Sequence, residues 1–100
     1  MKSNFSELIK GSTLVLIDFY ADWCAPCKMM APILEEVKSQ LGDGIKILKI
    51  DTERNQQLSG SLGIRSIPTL ILFKNGEIVW RQSGVVPADQ LANILKSHVA

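Results

Sequence analysis

The chain has no surplus of either charge. Eleven lysines and arginines stand against ten aspartates and glutamates, a net of +1. With no basic or acidic excess, nothing points to nucleic acid or to an anionic membrane surface as a partner. No apolar run is long enough to cross a bilayer. Cysteine is scarce: two residues are too few for the disulfide framework of a small secreted protein. The stretch from Met1 to Lys10 is polar with scattered apolar residues. It lacks an apolar h-region and a small-residue cleavage site, and is not expected to be a signal peptide. A cytoplasmic location is therefore expected, with an exported mature form as the alternative. Repeats, linkers and low-complexity segments are missing as well. The 100 residues suffice for one core, so a single domain over residues 1–100 is expected.

What is present is an alternation of apolar strands and amphipathic helices. Ser3 or Asn4 is read as the cap of a short first helix, with Phe5, Leu8 and Ile9 on one side. Gly11, Ser12 and Thr13 read as a turn. Leu14 to Tyr20 is almost wholly apolar, as expected of a strand covered on both faces; Asp18 is the exception inside it. From Cys24 the spacing turns helical: Cys27, Met30, Leu34, Val37 and Leu41 form one stripe. Pro32 falls inside this helix, and Gly42-Asp43-Gly44 ends it. Ile45 to Asp51 reads as a second strand, with Ile45, Ile47 and Lys49 on one face. Thr52 to Leu62 reads as a shorter helix, stopped by Gly63. Thr69 to Phe73 and Ile78 to Gln82 form a hairpin around Asn75-Gly76. Ala88 to His98 is the last helix, with Leu91, Ile94 and Leu95 inward. The order is α-β-α-β-α-β-β-α, which implies a small mixed sheet with helices on both faces and a parallel pair around the cysteine helix.

Both cysteines lie in Trp23-Cys24-Ala25-Pro26-Cys27-Lys28, between the first strand and the helix that follows. The spacing is expected to put the first thiol on an exposed N-terminal turn and the second one turn in, within disulfide reach. Unpaired backbone N–H groups and the helix dipole both favour a thiolate there, and a lowered thiol pKa makes a usable nucleophile. Three uses of such a pair compete. A staple closing four residues removes little unfolded-chain entropy. A zinc site needs four ligands, and the other soft ligand, His98, is at the far end of the chain. Reversible dithiol–disulfide chemistry fits best, because the strand-then-helix context is the one it requires. No metal and no cofactor are expected.

Asp18 lies six residues before Cys24. Its bland reading is an exposed strand end. Its functional reading is a buried carboxyl with a raised pKa, able to act as a base on Cys27 directly or through a water. Lys49 is the natural partner on the neighbouring strand, where its ammonium would pull that pKa back down; its bland reading is a snorkelling surface lysine. Ile67-Pro68-Thr69 precedes the hairpin, and trans is the commoner state of such a proline. Met29 and Met30 read as core or boundary, Phe19 and Tyr20 as core, Trp80 as packing and His98 as surface.

Taken together these residues resemble the thioredoxin family, from about Phe5 to His98. The likeness rests on Asp18 through Lys28, Pro32, Lys49 and Asp51, then Gly63 through Thr69, Phe73 through Gly76, and Gly84. It implies a thioredoxin-like three-layer α/β/α sandwich with a central mixed four-stranded sheet, the extra N-terminal strand of many members being absent. It implies a protein-disulfide reductase in which Cys24 attacks and Cys27 resolves, with Asp18 and Lys49 in the buried proton-handling positions and Pro68 as a cis-proline facing the pair. Trp23, Ala25, Pro26, Ile67, Gly84 and Val85 look like the apolar surface on which substrate chains dock. The implied partners are disulfide-containing proteins and an NADPH-dependent flavoenzyme, thioredoxin reductase, as electron donor, with the chain itself a monomer. Ala25 departs from the family pattern, standing where glycine is usual. Its methyl sits at the docking surface and favours the helix slightly. A redox-independent binding subunit using the same apolar surface is the alternative function.

Overall fold

The structure, a computed structural model, describes residues 2–11 and 13–99, with side chains from Phe5 onward. Four strands form one sheet in the order β2-β1-β3-β4, where β1 is Leu14–Tyr20, β2 Ile45–Asp51, β3 Thr69–Lys74 and β4 Glu77–Ser83. β1 runs parallel to β2 and antiparallel to β3, and β3 is antiparallel to β4. Four α-helices surround it: α1 Lys2–Leu8, α2 Ala25–Leu41, α3 Gln56–Ser61 and α4 Ala88–Val99.

Alternation along β1 assigns its side chains to two cores. Leu14 and Leu16 join Ile45, Leu70 and Leu72 beneath α2 and α4, which contribute Met30, Leu34, Val37, Leu91 and Leu95. Val15, Ile17 and Phe19 join Ile71 and Phe73 on the other face, with Phe5 of α1 and Leu58 of α3 against them. The sheet is thus the middle of three layers, and β1 is buried on both sides because helices cover both. Trp80 packs on the first core. Met30 is core, whereas Met29 is 60 % exposed beside it on α2.

Local chemistry explains where elements begin and end. Asn75 (φ 55°) and Gly76 (φ 80°) both occupy the left-handed region, the requirement of the tight hairpin turn between β3 and β4. The helix expected over 52–62 is shorter. The Asp51 carboxylate accepts the N–H groups of Glu53 and Arg54, and the Asn55 side chain donates to the Asp51 carbonyl. These local bonds make a turn and delay helix formation until Gln56. α1 begins at Lys2, so Ser3 and Asn4 lie inside it rather than at its cap. Leu8 is exposed, while Ile9 is buried and Phe5 half-buried. Of the turn expected at 11–13, Ser12 lies outside the described residues. Among those described, no helix is long and apolar enough to cross a membrane.

The strand directions gather one set of loops. The C-terminal ends of β1, β2 and β4 and the N-terminal end of β3 meet at a single edge of the sheet, as the pairs Tyr20–Asp51, Phe19–Thr69 and Thr69–Ser83 show. The opposite edge carries Gly11 and the Asn75-Gly76 turn, joined by Asn75 N–H to the Gly11 carbonyl at 2.8 Å.

α3 ends in a paired cap: Gly63 N–H donates to Gly60 and Ile64 N–H to Ser59. Gly63 supplies the left-handed φ of 68° that this cap needs. A Cβ there meets only the Arg81 Nη2 atom at 3.9 Å, so its cost is conformational rather than steric. Gly63→Ala is expected to destabilise the chain by about 1 kcal/mol. Urea denaturation should show a lower midpoint at an unchanged m value.

Candidate active site

Cys24 is the N-cap of α2, in an extended conformation (φ −88°, ψ 107°). Its sulfur accepts the Cys27 N–H at 3.2 Å. Pro26 has no N–H to leave unpaired, which is why proline is tolerated in a first helical turn. The helix dipole adds to the bond, so the N-terminal end of α2 favours negative charge on Cys24 Sγ. The two cysteines are joined by a disulfide, with Cα atoms 5.2 Å apart. Cys24 Sγ also lies 3.7 Å from the Ile67 carbonyl oxygen, an acceptor for its S–H in the dithiol state.

The first thiol is less open than its place at a helix start suggests. Cys24 is 3 % exposed, packed with Ala21, Cys27, Tyr20 and Ile67 in a cluster separate from both cores. The reason is tertiary: the loop before β3 lays Ile67 against it. The Ile67–Pro68 bond is cis, Pro68 is buried and Ile67 half-buried. The Pro68 carbonyl accepts the Gly84 N–H at 2.8 Å, which brings the loop after β4, with Gly84 exposed and Val85 half-buried, beside the cis-proline loop. Trp23, 67 % exposed, stands before the cysteines, and Ala25 and Pro26 are exposed at the start of α2.

Asp18 lies on the face of β1 that α2 covers. It is fully buried, and neither carboxylate oxygen has a hydrogen-bond partner. Burial pushes its pKa from the ordinary 3.8 up to about 6, and the positive charge of Lys49 partly offsets the rise. Lys49 is its register partner on β2. The Lys49 side chain is exposed, and its ammonium sits 4.9 Å from the centre of the Tyr20 ring. A cleft of about 130 Å³ is lined by Tyr20, Ala21, Asp22, Cys27, Lys28 and Lys49. Among the described residues no group of three His, Cys, Asp or Glu could hold a metal ion.

Two residues at this edge escaped the sequence reading. Tyr20 is half-buried beside the cysteines rather than in a core. Glu53 accepts the Trp23 indole N–H at 2.6 Å, linking the cysteine loop to the turn after β2. The signal for Tyr20 was its place two residues after Asp18 on the same strand face. For Glu53 there is none beyond its closeness to the end of β2.

The Thioredoxin family model matches residues 1–97. Thioredoxin 1 of Synechococcus elongatus is 44 % identical over 93 residues, covering 93 % of this chain and 87 % of its own. The thioredoxin of Haemophilus influenzae is 42 % identical over 98 residues, covering 97 % and 92 %. A mutant thioredoxin from Halobacterium salinarum superposes with a TM-score of 0.89 at 36 % identity, covering 98 % of this chain and 85 % of that one.

The buried carboxyl sets a stability test. Its folded pKa of about 6 lies above the ordinary 3.8, so the folded state holds the extra proton between these values. Stability contributed by the protonated form is full below about pH 4 and is lost as pH rises through 6. Asp18→Ala is expected to stabilise the chain at pH 7.5 by about 2–3 kcal/mol, a gain that vanishes below pH 4. Urea titrations at the two pH values check the sign and the size.

Proposed function

The chain belongs to the thioredoxin family and is a protein-disulfide reductase, a thiol–disulfide oxidoreductase; from that premise we propose how its residues divide the reaction. Cys24, as thiolate, attacks one sulfur of a substrate disulfide. A Cys24–substrate disulfide forms, and the substrate's other sulfur leaves as a thiolate. The Cys27 thiol then gives its proton to Asp18 and attacks Cys24 Sγ. This breaks the mixed disulfide, releases the second substrate sulfur, and leaves the Cys24–Cys27 disulfide. Two electrons have passed to the substrate. The observation that carries the assignment is the Cys27 N–H aimed at Cys24 Sγ at the start of α2, because the bond favours the thiolate on the first cysteine and not on the second.

Asp18 suits the base role because a carboxyl that titrates near 6 is mostly ionised at neutral pH yet basic enough to share a proton with a thiol. Lys49 supplies the positive charge that keeps it ionisable. Trp23, Ala25, Pro26, Ile67, Gly84 and Val85 form the docking surface, with Pro68 beneath it. An extended chain laid there brings its disulfide to Cys24, which so small an opening otherwise shields. Exposed backbone and apolar side chains ask little of the substrate sequence. Regeneration falls to an NADPH-dependent thioredoxin reductase. Electron transport in cell redox homeostasis, a cytoplasmic location, one domain and a monomeric state complete the reading.

Reduction of insulin disulfides by dithiothreitol tests it. The protein should accelerate the reaction, and Cys24→Ser should abolish the acceleration; full activity in that variant overturns the assignment. Cys27→Ser should accumulate a covalent substrate adduct, seen as added mass that dithiothreitol removes. Asp18→Ala should slow turnover about tenfold at pH 7, with the deficit narrowing at higher pH, where hydroxide takes the Cys27 proton.

A further inference from the structure

Lys49 occupies an unusual place for an exposed lysine. It is in register with Asp18, and its charge acts on that carboxyl. Yet Asp18 accepts no hydrogen bond, and the one ion pair among the described residues is Arg54 with Asp51. The ammonium is therefore within electrostatic reach of Asp18 but out of contact with it. What it does touch is the face of the Tyr20 ring, 4.9 Å from the centroid. Tyr20 is itself well fixed. Its carbonyl accepts the Thr52 N–H at 2.8 Å and the Thr52 hydroxyl at 3.1 Å, and its ring is half-buried against the cysteine cluster. A ring face attracts an ammonium through its quadrupole, whereas a free lysine stem extends into water and samples many rotamers.

We propose that Tyr20 is a positioning residue for the resolving step: its ring holds the Lys49 ammonium over the cleft that both share with Cys27, and so sets how readily Asp18 exchanges its proton. The inference rests on the reading of Asp18 as the base for Cys27. The other ionisable groups around this point come from α2 and the loop after β1. Cys27, Lys28 and Asp22 line the cleft beside Tyr20. Glu35 and Lys38 of α2 line a second cleft on Lys49, where the Lys38 ammonium is taken up by the Gly42 and Ile45 carbonyls. Asp51, next along that face of β2, is engaged by two backbone N–H groups and Arg54. From β3 the register partner of Asp18 is the apolar Leu70. Among the described residues Lys49 is the cation that stands over the Tyr20 ring. Without the ring, its stem moves out to water, the carboxylate form loses support, and Asp18 titrates at higher pH.

The experiment follows the Asp18 carboxyl carbon by NMR in the reduced protein, beside the pH–rate profile of insulin reduction. Tyr20→Leu should move the Asp18 titration upward by about half a pH unit, and the lower limb of the rate profile should move with it. Tyr20→Phe, which keeps the ring, should leave both in place. In a Lys49→Met background, Tyr20→Leu should add nothing. An unmoved titration in Tyr20→Leu, or an equal shift with Lys49 already removed, overturns the proposal. A measurement on the unaltered protein guards against a misfolded variant: the Lys49 ε-methylene protons should show an upfield ring-current shift, and normal positions overturn the proposal. A titration that moves while the rate profile stays put upholds the ring's hold on Lys49 and sinks instead the role of Asp18 as base.

Discussion

The chemistry of this chain depends on one backbone hydrogen bond, from the Cys27 N–H to Cys24 Sγ at the start of α2. A helix leaves its first amides without carbonyl partners, and here one of them finds a sulfur. Because the sulfur is itself the cap, the stabilisation of charge and the start of the helix are the same event. The rest of the site is arranged around that atom. β1 delivers it, the cis-proline loop covers it, and the Gly84 N–H fastens a second loop to the first.

Asp18 shows the opposite relation between stability and use. A carboxyl with neither oxygen partnered, in a strand otherwise apolar, weakens the fold at neutral pH. Its neighbours do not cure this. Lys49 lowers the cost through space, and no hydrogen bond removes it. A fully satisfied carboxylate would titrate near its ordinary value and would be a poorer acceptor for a thiol proton. The fold carries this unsatisfied group between its two cores, whose burial supplies the surplus that tolerates it.

Much of this was legible in the residues, for reasons that differ by element. β1 and α2 carry long, strong patterns, and the Asn75-Gly76 turn has few conformational alternatives, so their limits are nearly those expected. α3 is shorter than its sequence pattern because Asp51 and Asn55 spend their hydrogen bonds on a turn, a competition that periodicity does not register. The burial of Cys24 comes from a loop more than forty residues away, and helix-start logic alone could not supply it. The cis state of the bond before Pro68 is implied by the family resemblance and not by the local residues, for which trans is the commoner state. Tyr20 sits in an apolar strand, so the pattern reads as core; its contact with the Lys49 ammonium comes from the neighbouring strand and leaves no trace in the pattern of either.

The gathering of working loops at one edge of the sheet leaves the other edge idle. Gly11 and the Asn75-Gly76 hairpin are joined to each other there, a full strand length from the sulfurs. Variation in that pole is decoupled from electron traffic, so sequence drift, grafted peptides or fused modules can accumulate there while the reactive pole keeps its shape.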